Sequence, residues 1–408
     1  MLTSRCLFLL ATITSFLSLS CSSRARPPVP SPLIFPVTKD EASRQYYTTI
    51  ALGTPPSPVK AVLDLSGSYS WFNCGAARYD PSSSSSHRSI LCSSTGCRAT
   101  CGGSCFNDTC GVFVYHLLTE VVIGAGLSED ALVVHHTDGI KYRSRSNKFT
   151  RGISGAGNGV VALSIAPTSL ATKLSADLDL PQKLALCLPS SSSSSSSGHG
   201  DFYIGGGPYF RPPFKQDLLE SLLVTQLLVD PVSRPPSHGS ASPSDQSISL
   251  GQFRGIIVGY RRERRGGTKI STLIPYTVLH SAIYKALVVE FWKQAAEKKI
   301  KRAEPISLFG ACFDARSIRS GVLGPDVPAI VLVLRSDVQW RIEGANSMVR
   351  VSEEVMCLGF VEGGWKPMTA IVIGAHQMED NLVEFDVASK TFRFSNSLLL
   401  RNTSCSHS

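Results

Sequence analysis

The chain has 408 residues, of which 43% are apolar and 17% are charged, and this composition excludes an intrinsically disordered protein. A chain of this length has room for one large hydrophobic core or for two lobes. The formal net charge of +9 favours anionic partners, but the export signal described next excludes nucleic acid as the expected one.

Residues 1–23 are predicted to be a secretory signal peptide. Arg5 supplies the positive start, residues 7–19 form the apolar stretch, and residues 20–23 are small, as cleavage requires. A membrane anchor is the alternative, but the apolar stretch is short and is interrupted by Thr and Ser. No later segment has about 18 consecutive apolar residues. We therefore expect a secreted protein with no membrane attachment after the signal is removed.

Strand patterns separated by turn residues fill most of the remaining chain. A proline-rich leader is predicted over residues 24–39, and the alternating residues at 46–52 predict a strand that ends at a Gly-Thr-Pro-Pro turn. The apolar run 59–63 predicts a second strand, which ends at Asp64. The amphipathic periodicity predicts one helix, from Ser281 to about Lys299. This pattern is typical of an all-β protein with a few short helices.

The cysteines indicate an oxidising compartment. Ten of the twelve lie beyond residue 23, an even number that suits five disulfides. Cys312 and Cys357 are the candidates for a local pair in the second half, and the other pairings stay open. The cysteines between residues 92 and 110 could alternatively bind zinc. They include no Cys-x-x-Cys pair and no paired histidines, so we expect a disulfide-stapled loop, no metal site and no cofactor.

Two N-x-S/T sequons occur beside cysteines, at Asn107 and Asn402. Both are predicted to be glycosylated in surface loops of the secreted protein.

A weak internal repeat predicts two similar β lobes that face each other across a cleft. The strand end at residues 62–64 corresponds to the strand end at residues 270–272, and each half later has an apolar run that meets glycine, at 159–163 and at 370–374. In this repeat, Ser271 stands where the first half has Asp64.

Several motifs in order resemble the pepsin-like family, and within it the plant group of extracellular dermal glycoproteins, basic 7S globulins and xylanase- or endoglucanase-inhibitor proteins. The motifs are VLDLSGS at 62–68, GGTKIST at 266–272, PYTVL at 275–279, FGACF at 309–313, NSMV at 346–349, CLG at 357–359, IVIGAHQMEDN at 371–381 and FD at 385–386. The resemblance spans residues 35–405. It implies a bilobal pepsin-like aspartic-protease fold with an interlobe cleft, an N-terminal β lobe over 40–212 that includes the cysteine-rich loop 92–110, and a C-terminal β lobe over 213–408.

The residues at the expected active site argue against proteolysis. Aspartic proteases use two carboxylates that share one proton, and the repulsion between them separates their pKa values into an acid and a base. The Ser271 hydroxyl can hydrogen-bond a water molecule but cannot exchange a proton with it in mildly acidic solution. Leu65 cannot donate a hydrogen bond, and a glycine-rich flap is not recognisable between residues 112 and 125, although Tyr115 could be its remnant. We interpret Asp64 and Ser271 as vestigial dyad positions.

The resemblance further implies an inhibitor of microbial glycoside hydrolases in the plant apoplast, with a role in defence. Glucanase-inhibiting relatives place arginines just before Leu-Gly-Pro and just before the last cysteine. Here Val322 and Asn402 occupy those positions, so the nearby Arg319 and Arg401 are the candidate inhibitory residues. Residues 398–400 lack the histidine of xylanase-inhibiting relatives, which favours endoglucanase or xyloglucanase targets.

Three other hypotheses stay open from the sequence. The chain could be an aspartic endopeptidase with an unusual dyad, or a storage or peptide-binding globulin. The basic run 261–265 could attach the protein to acidic wall polysaccharide.

Overall fold

The chain folds mainly into strands. The computed structural model describes residues 31–72, 79–98, 104–116, 121–138, 142–154, 159–190, 198–211, 216–229, 248–250, 268–365, 367 and 369–406. The strands of the first half are β1 (Leu33–Lys39), β2 (Tyr46–Leu52), β3 (Ser57–Asp64), β4 (Ser70–Phe72), β5 (Arg88–Ser89), β6 (Ser104–Phe106), β7 (Thr109–His116), β8 (Val121–Thr137), β9 (Tyr142–Ser154), β10 (Val160–Ala162), β11 (Lys183–Cys187) and β12 (Gly200–Ile204).

The strands of the second half continue this numbering. They are β13 (Leu223–Val229), β14 (Ile248–Leu250), β15 (Thr268–Ile270), β16 (Thr277–Leu279), β17 (Arg302–Ala303), β18 (Cys312–Asp314), β19 (Ser320–Gly321), β20 (Gly324–Pro325), β21 (Ile330–Val333), β22 (Gln339–Ile342), β23 (Met348–Arg350), β24 (Val355–Leu358), β25 (Phe360–Glu362), β26 (Ile371–Ile373), β27 (Leu382–Asp386) and β28 (Thr391–Phe394). The α-helices are α1 (Thr95–Arg98), α2 (Leu170–Asp177), α3 (Ser281–Glu297) and α4 (Gly344–Ser347).

Each half of the chain has the same strand arrangement at its centre. In the first half, β3 pairs in parallel with β10, which also pairs antiparallel with β4. In the second half, β15 pairs in parallel with β26, which also pairs antiparallel with β16. The repeated apolar runs noted in the sequence therefore form β10 and β26, each beside a strand that ends at a dyad position. This is the bilobal pepsin-like architecture.

A six-stranded antiparallel arrangement joins the two halves. Its order is β1–β12–β11–β27–β28–β13, and the pairing of β11 with β27 crosses from the first half to the second. Every residue of β12 and of β27 is buried, so these strands also form part of the core. One apolar cluster contains Leu63 and Phe202 from the first half and Ile270 and Phe385 from the second. Residues Ser31–Ser408 accordingly form one compact unit.

The predicted leader is wrong over its last seven residues. Leu33–Lys39 forms β1, whose apolar side chains are buried and which pairs with β12, β2 and β8. The prolines misled the prediction because they precede this strand, except for Pro36. That residue is exposed within the strand, while the apolar residues on either side of it are buried.

The predicted helix is confirmed as α3, which begins at Ser281 and ends at Glu297. Its buried face includes Tyr284, Val288 and Phe291. Ile283 and Leu287 lie at the edge of this face, where both side chains pack partly buried against the core.

The described cysteines are all paired. The disulfides are Cys92–Cys105, Cys97–Cys110, Cys187–Cys405 and Cys312–Cys357. Cys187 ends β11 and Cys405 lies near the end of the chain, so this bond closes a loop with a sequence separation of 218. Cys312 and Cys357 face each other across the pair β18–β24.

Several predictions lie outside the described residues. These are the signal peptide at 1–23, the lobe boundary at 212/213, the basic run at 261–265, and Cys74 and Cys101. Within the described part of the chain, no helix has the length and apolar character needed to cross a bilayer.

Thr272 connects the loops that follow β3 and β15. Its hydroxyl donates a hydrogen bond of 2.6 Å to the Leu63 carbonyl and accepts one of 3.3 Å from the Leu65 amide. Thr272 and Leu65 are both buried. Leu65 occupies the equivalent position in the first half, and because leucine has no hydroxyl, the reciprocal bonds do not form.

We predict that Thr272→Val lowers the free energy of unfolding by about 1–3 kcal/mol, because the backbone groups of Leu63 and Leu65 lose a partner in buried surroundings. Chemical denaturation measures this change. The control is Thr49→Val, which makes the same substitution at an exposed position of β2. Equal effects of the two substitutions would show that the Thr272 bridge contributes nothing.

Candidate functional site

The loop around Asp64 retains the features that orient a catalytic carboxylate. Ser66 donates two hydrogen bonds to Asp64 Oδ1, from its backbone amide at 2.8 Å and from its hydroxyl at 3.0 Å. A Cβ atom at Gly67 would lie 2.8 Å from Asp64 Oδ2, so only glycine leaves room for the carboxylate there. Ser66 and Gly67 thus hold Asp64 in one orientation.

Ser271 makes backbone hydrogen bonds at the position where the second aspartate is missing. Its amide donates to the Ile373 carbonyl at 2.9 Å and continues the pairing of β15 with β26. Its hydroxyl oxygen accepts from the amides of Leu273 and Ile274, each at 3.3 Å. Ser271 is only 1% exposed, so these bonds satisfy backbone amides inside the protein. The loop therefore keeps its side-chain acceptor and loses its negative charge.

A carboxylate beside a hydroxyl cannot perform acid–base chemistry on a shared water. Because Ser271 replaces the second carboxylate of the dyad, the repulsion between two carboxylates that keeps one protonated and the other ionised is missing. The arrangement around Asp64 and Ser271 can bind a water molecule or a polar ligand group by hydrogen bonds. It has one of the two groups that the hydrolysis of a peptide requires.

The stretch in which no flap motif is recognisable nevertheless forms a hairpin. β7 and β8 pair from Gly111 opposite Gly126 to His116 opposite Val121, and Tyr115 lies opposite Val122 in this register. The absence of a recognisable flap motif therefore does not prevent this stretch from pairing as a hairpin. The hairpin forms without the glycine-rich sequence because strand pairing uses main-chain groups.

The first candidate inhibitory loop is a short hairpin formed by β19 and β20. Arg319 precedes the hairpin, and its side chain is 90% exposed. Its guanidinium lies 3.9 Å from Asp326, which also pairs with Lys298 at 2.5 Å. Val322 lies at the tip and is 70% exposed. The tip of the turn is thus an exposed apolar residue, with the arginine at its base.

The second candidate loop is the 3₁₀ helix Leu398–Arg401. Arg401 ends this helix and donates to the Ser221 hydroxyl at 3.1 Å. Leu400 is 54% exposed. Asn402 follows in the left-handed conformation with φ of 52°, which directs the chain towards Cys405.

Both loops border one cavity of 560 Å³. Val322 and Pro325 line it from the first loop, and Leu399 lines it from the second. Arg319 and Arg401 are outside this lining. The structure therefore brings the two loops to one cavity, but neither arginine lines it.

Charged side chains form the floor of this cavity. Lys39 of β1 and Tyr46 of β2 both donate to Glu379 Oε1, and His376 Nδ1 lies 3.1 Å from Glu379 Oε2. The Lys39 and Glu379 side chains are 5% and 3% exposed. This cluster joins the start of the described chain to the second half across 340 residues.

The surroundings of this cluster shift the pKa values of Glu379 and Tyr46 in opposite directions. Burial would raise the pKa of the Glu379 carboxyl, but the charges and hydrogen bonds of His376 and Lys39 lower it to about 2. Burial, together with the Glu379 charge, raises the pKa of Tyr46 well above its usual value. His376 Nε2 lies 3.1 Å from the Met348 carbonyl, so both ring nitrogens face oxygen atoms.

The residues of this cluster are visible in the sequence but were not predicted to form a site. His376 and Glu379 lie in a polar run directly after the apolar strand β26, in a motif that served only to identify the family. A polar run that follows a buried strand is a signal for a site at the strand end. Lys39 could not be found, because it had been assigned to the leader.

The remaining predicted positions lie on the surface or in disulfides. Asn107 is exposed in the turn between β6 and β7, and Asn402 is exposed after the terminal helix. Both stay predicted glycosylation sites. Cys92, Cys105 and Asp108 lie close together, but both sulfurs are in one disulfide and offer no thiolate to a metal.

We predict that stability falls as the pH is lowered from about 4.5 towards 2, because the unfolded chain binds a proton at Glu379 while the folded chain does not. The lowered pKa of Glu379 corresponds to a decrease in the free energy of unfolding on the order of 3 kcal/mol. Chemical denaturation across this pH range should show that Glu379→Gln loses less stability on acidification than the unmodified protein. Above pH 5 the variant should be less stable than the unmodified protein, because Lys39 loses its partner.

The control for this experiment is Glu354→Gln, which removes a carboxylate that is 71% exposed. Its pH dependence should match that of the unmodified protein. An unchanged slope for Glu379→Gln would contradict the assignment of the acid sensitivity to this carboxylate.

Two family models match the chain over most of its length. The model described as xylanase inhibitor N-terminal matches residues 46–206, and the model described as xylanase inhibitor C-terminal matches residues 246–396. The first match covers the strand pair that ends at Asp64, and the second covers the pair that ends at Ser271.

Curated relatives and solved structures agree with these matches. "Probable aspartic proteinase GIP2" of Nicotiana benthamiana is 35% identical, over 93% of this chain and 92% of the relative. "Gamma conglutin 1" of Prunus dulcis is 32% identical, over 93% of this chain and 89% of the relative. The structure reported as "Crystal structure of edgp" superposes with a TM-score of 0.81 at 34% identity, over 93% of this chain and 98% of that one. The chain therefore belongs to the xylanase-inhibitor family of pepsin-like plant proteins.

Proposed function

We propose that this chain is a secreted, non-proteolytic protein of the plant cell wall that binds and inhibits microbial glycoside hydrolases, with endoglucanases or xyloglucanases as targets in preference to xylanases. The observation that carries the proposal is the convergence of two exposed loops, 320–325 and 398–401, on one cavity. The loss of the second carboxylate at Ser271 supports binding without peptide hydrolysis.

The chemistry of the target enzymes explains why arginines matter at these loops. Glycoside hydrolases cleave with a pair of carboxyl groups in a cleft. A guanidinium binds a carboxylate through two parallel charge-assisted hydrogen bonds. Arg319 is 90% exposed, and one ion pair at 3.9 Å leaves donors for an incoming carboxylate. The hydrogen bond from Arg401 to Ser221 does not compensate the guanidinium charge, because the Ser221 hydroxyl is neutral.

The apolar tips would determine which enzymes fit. Val322 and Leu400 are 70% and 54% exposed, and both belong to loops that border the cavity. Because valine replaces the arginine of glucanase-inhibiting relatives, the first loop would bury apolar area against its target while Arg319 binds from the base. Residues 398–400 contain no histidine, which favours endoglucanases over xylanases.

Secretion is supported by the covalent structure. The described residues contain four disulfides, which persist in oxidising compartments. The predicted signal peptide and the exposed sequons at Asn107 and Asn402 agree with this route.

Titration of the purified protein against fungal endoglucanases, xyloglucanases and xylanases tests the proposal. We expect stoichiometric inhibition of an endoglucanase or xyloglucanase and no inhibition of xylanases. Arg319→Ala and Arg401→Ala should each weaken inhibition about 10- to 150-fold, the loss expected for a hydrogen bond to a charged group.

The matched control is Arg88→Ala, which removes an exposed arginine that bonds to the Ser85 and His87 carbonyls in the first half. It should leave inhibition unchanged. Absence of both inhibition and complex formation across a broad panel of hydrolases would contradict the proposed function.

A further inference from the structure

Trp365 is an exposed aromatic side chain held in a fixed position. It is 61% exposed, yet its carbonyl lies 3.0 Å from His280 Nε2 and its ring packs edge-on against the His280 ring, with centroids 5.7 Å apart. The preceding Gly364 carbonyl accepts from the Ser281 amide at 2.9 Å. The ring is therefore anchored at the start of α3 while much of its surface faces solvent.

A cation lies over each of two tryptophan rings along α3. Lys285 Nζ is 4.8 Å from the centroid of Trp365, and the Arg302 guanidinium is 4.3 Å from the centroid of Trp292. Lys285 and Trp292 are seven residues apart, which is two turns or about 10 Å along the helix axis. Val289, 62% exposed, lies between them on the same side of α3, and Trp292 is partly buried against the core. We call this surface the tryptophan stripe: Lys285, Val289, Trp292, Arg302 and Trp365.

The stripe lies in a strongly basic part of the chain. Residues 281–302 contain six lysines and arginines and two glutamates. Two of the cations are already placed on aromatic rings. Beside Trp292 and Arg302, a second cavity of 460 Å³ is also lined by Pro305 and Gly310. A ligand for this surface combines negative charge with flat apolar faces.

We propose that the tryptophan stripe binds an acidic polysaccharide built from uronic acid residues, such as polygalacturonate. The apolar face of a pyranose ring packs on the Trp365 indole. Tryptophan suits such a contact because its ring is apolar while its N–H can remain hydrated. The uronate carboxylates pair with Lys285 and Arg302. The two cation–aromatic pairs, two helical turns apart, contact successive parts of one polymer. This surface is separate in sequence from the inhibitory loops, so the inference does not depend on the proposed function.

Other polyanions fit the stripe less well. A membrane-surface helix inserts a broad apolar face, whereas the apolar face of α3 packs into the core and Val289 is the one large aliphatic side chain exposed along the described helix. The disulfides indicate an oxidising compartment, which disfavours nucleic acid as the ligand.

Binding of the full-length protein to polygalacturonate tests the inference, with the dissociation constant measured at low and at moderate salt. Trp365→Ala should weaken binding about tenfold or more, and Lys285→Gln should weaken it severalfold. Trp365→Phe should restore most of the affinity, because it keeps an aromatic platform. Fully methyl-esterified pectin should not bind, because its carboxylates are neutral.

The matched control is Lys60→Gln, which removes a lysine that lies 3.5 Å from the centroid of the Tyr47 ring, elsewhere on the surface. It makes the same charge change and should alter affinity by less than twofold. Hydrolase inhibition should be the same for Trp365→Ala as for the unmodified protein. The assignment would be overturned if Lys60→Gln and Lys285→Gln lost equal affinity, or if Trp365→Ala kept its affinity. It would also be overturned if the protein bound anionic vesicles or DNA as strongly as polygalacturonate without depending on Trp365.

Discussion

The hydroxyl of Thr272 joins the two loops on which the rest of the site depends. Each loop follows the parallel strand pair at the centre of its half, and Thr272 bonds to Leu63 and Leu65, the residues on either side of Asp64. In a symmetric site, the residue after each dyad position would make the same contact. Leu65 has no hydroxyl and cannot make this contact, so the two loops are joined by the Thr272 side chain and not by a matching bond from Leu65. Together with the pairing of β11 and β27, this contact keeps the pepsin-like geometry in a chain that lacks the pepsin-like dyad.

Ser271 separates the two roles of the residue it replaces. A dyad aspartate accepts backbone amides in its own loop and also supplies charge to the reaction. The Ser271 hydroxyl accepts from Leu273 and Ile274 and supplies no charge. Selection on the fold can therefore be satisfied while the chemistry is lost, since a buried acceptor is needed for stability whether or not catalysis occurs. A binding function would then rest on surfaces away from the dyad, at the two loops and on the tryptophan stripe.

Local patterns in the sequence predicted local structure well. The strand that ends at Asp64, the repeated runs that form β10 and β26, and helix α3 all follow from periodicity and turn residues over short stretches. The contact of Lys39 with Glu379 could not be predicted, because the two residues are 340 positions apart and no local pattern marks Lys39. β1 was missed because the nearby prolines outweighed its short apolar run. The meeting of Val322 and Leu399 at one cavity likewise depends on tertiary packing.

The most direct test of the central claim, that the scaffold persists without the reaction, is a proteolysis assay on the purified mature protein. A denatured protein substrate would be incubated with it between about pH 3 and pH 6, the range in which carboxyl groups titrate, with Asp64→Ala as the matched variant. We predict no cleavage above that of Asp64→Ala at any pH. Cleavage that is blocked by pepstatin and abolished by Asp64→Ala would show that Asp64 and Ser271 still form a working protease site, and would contradict the account.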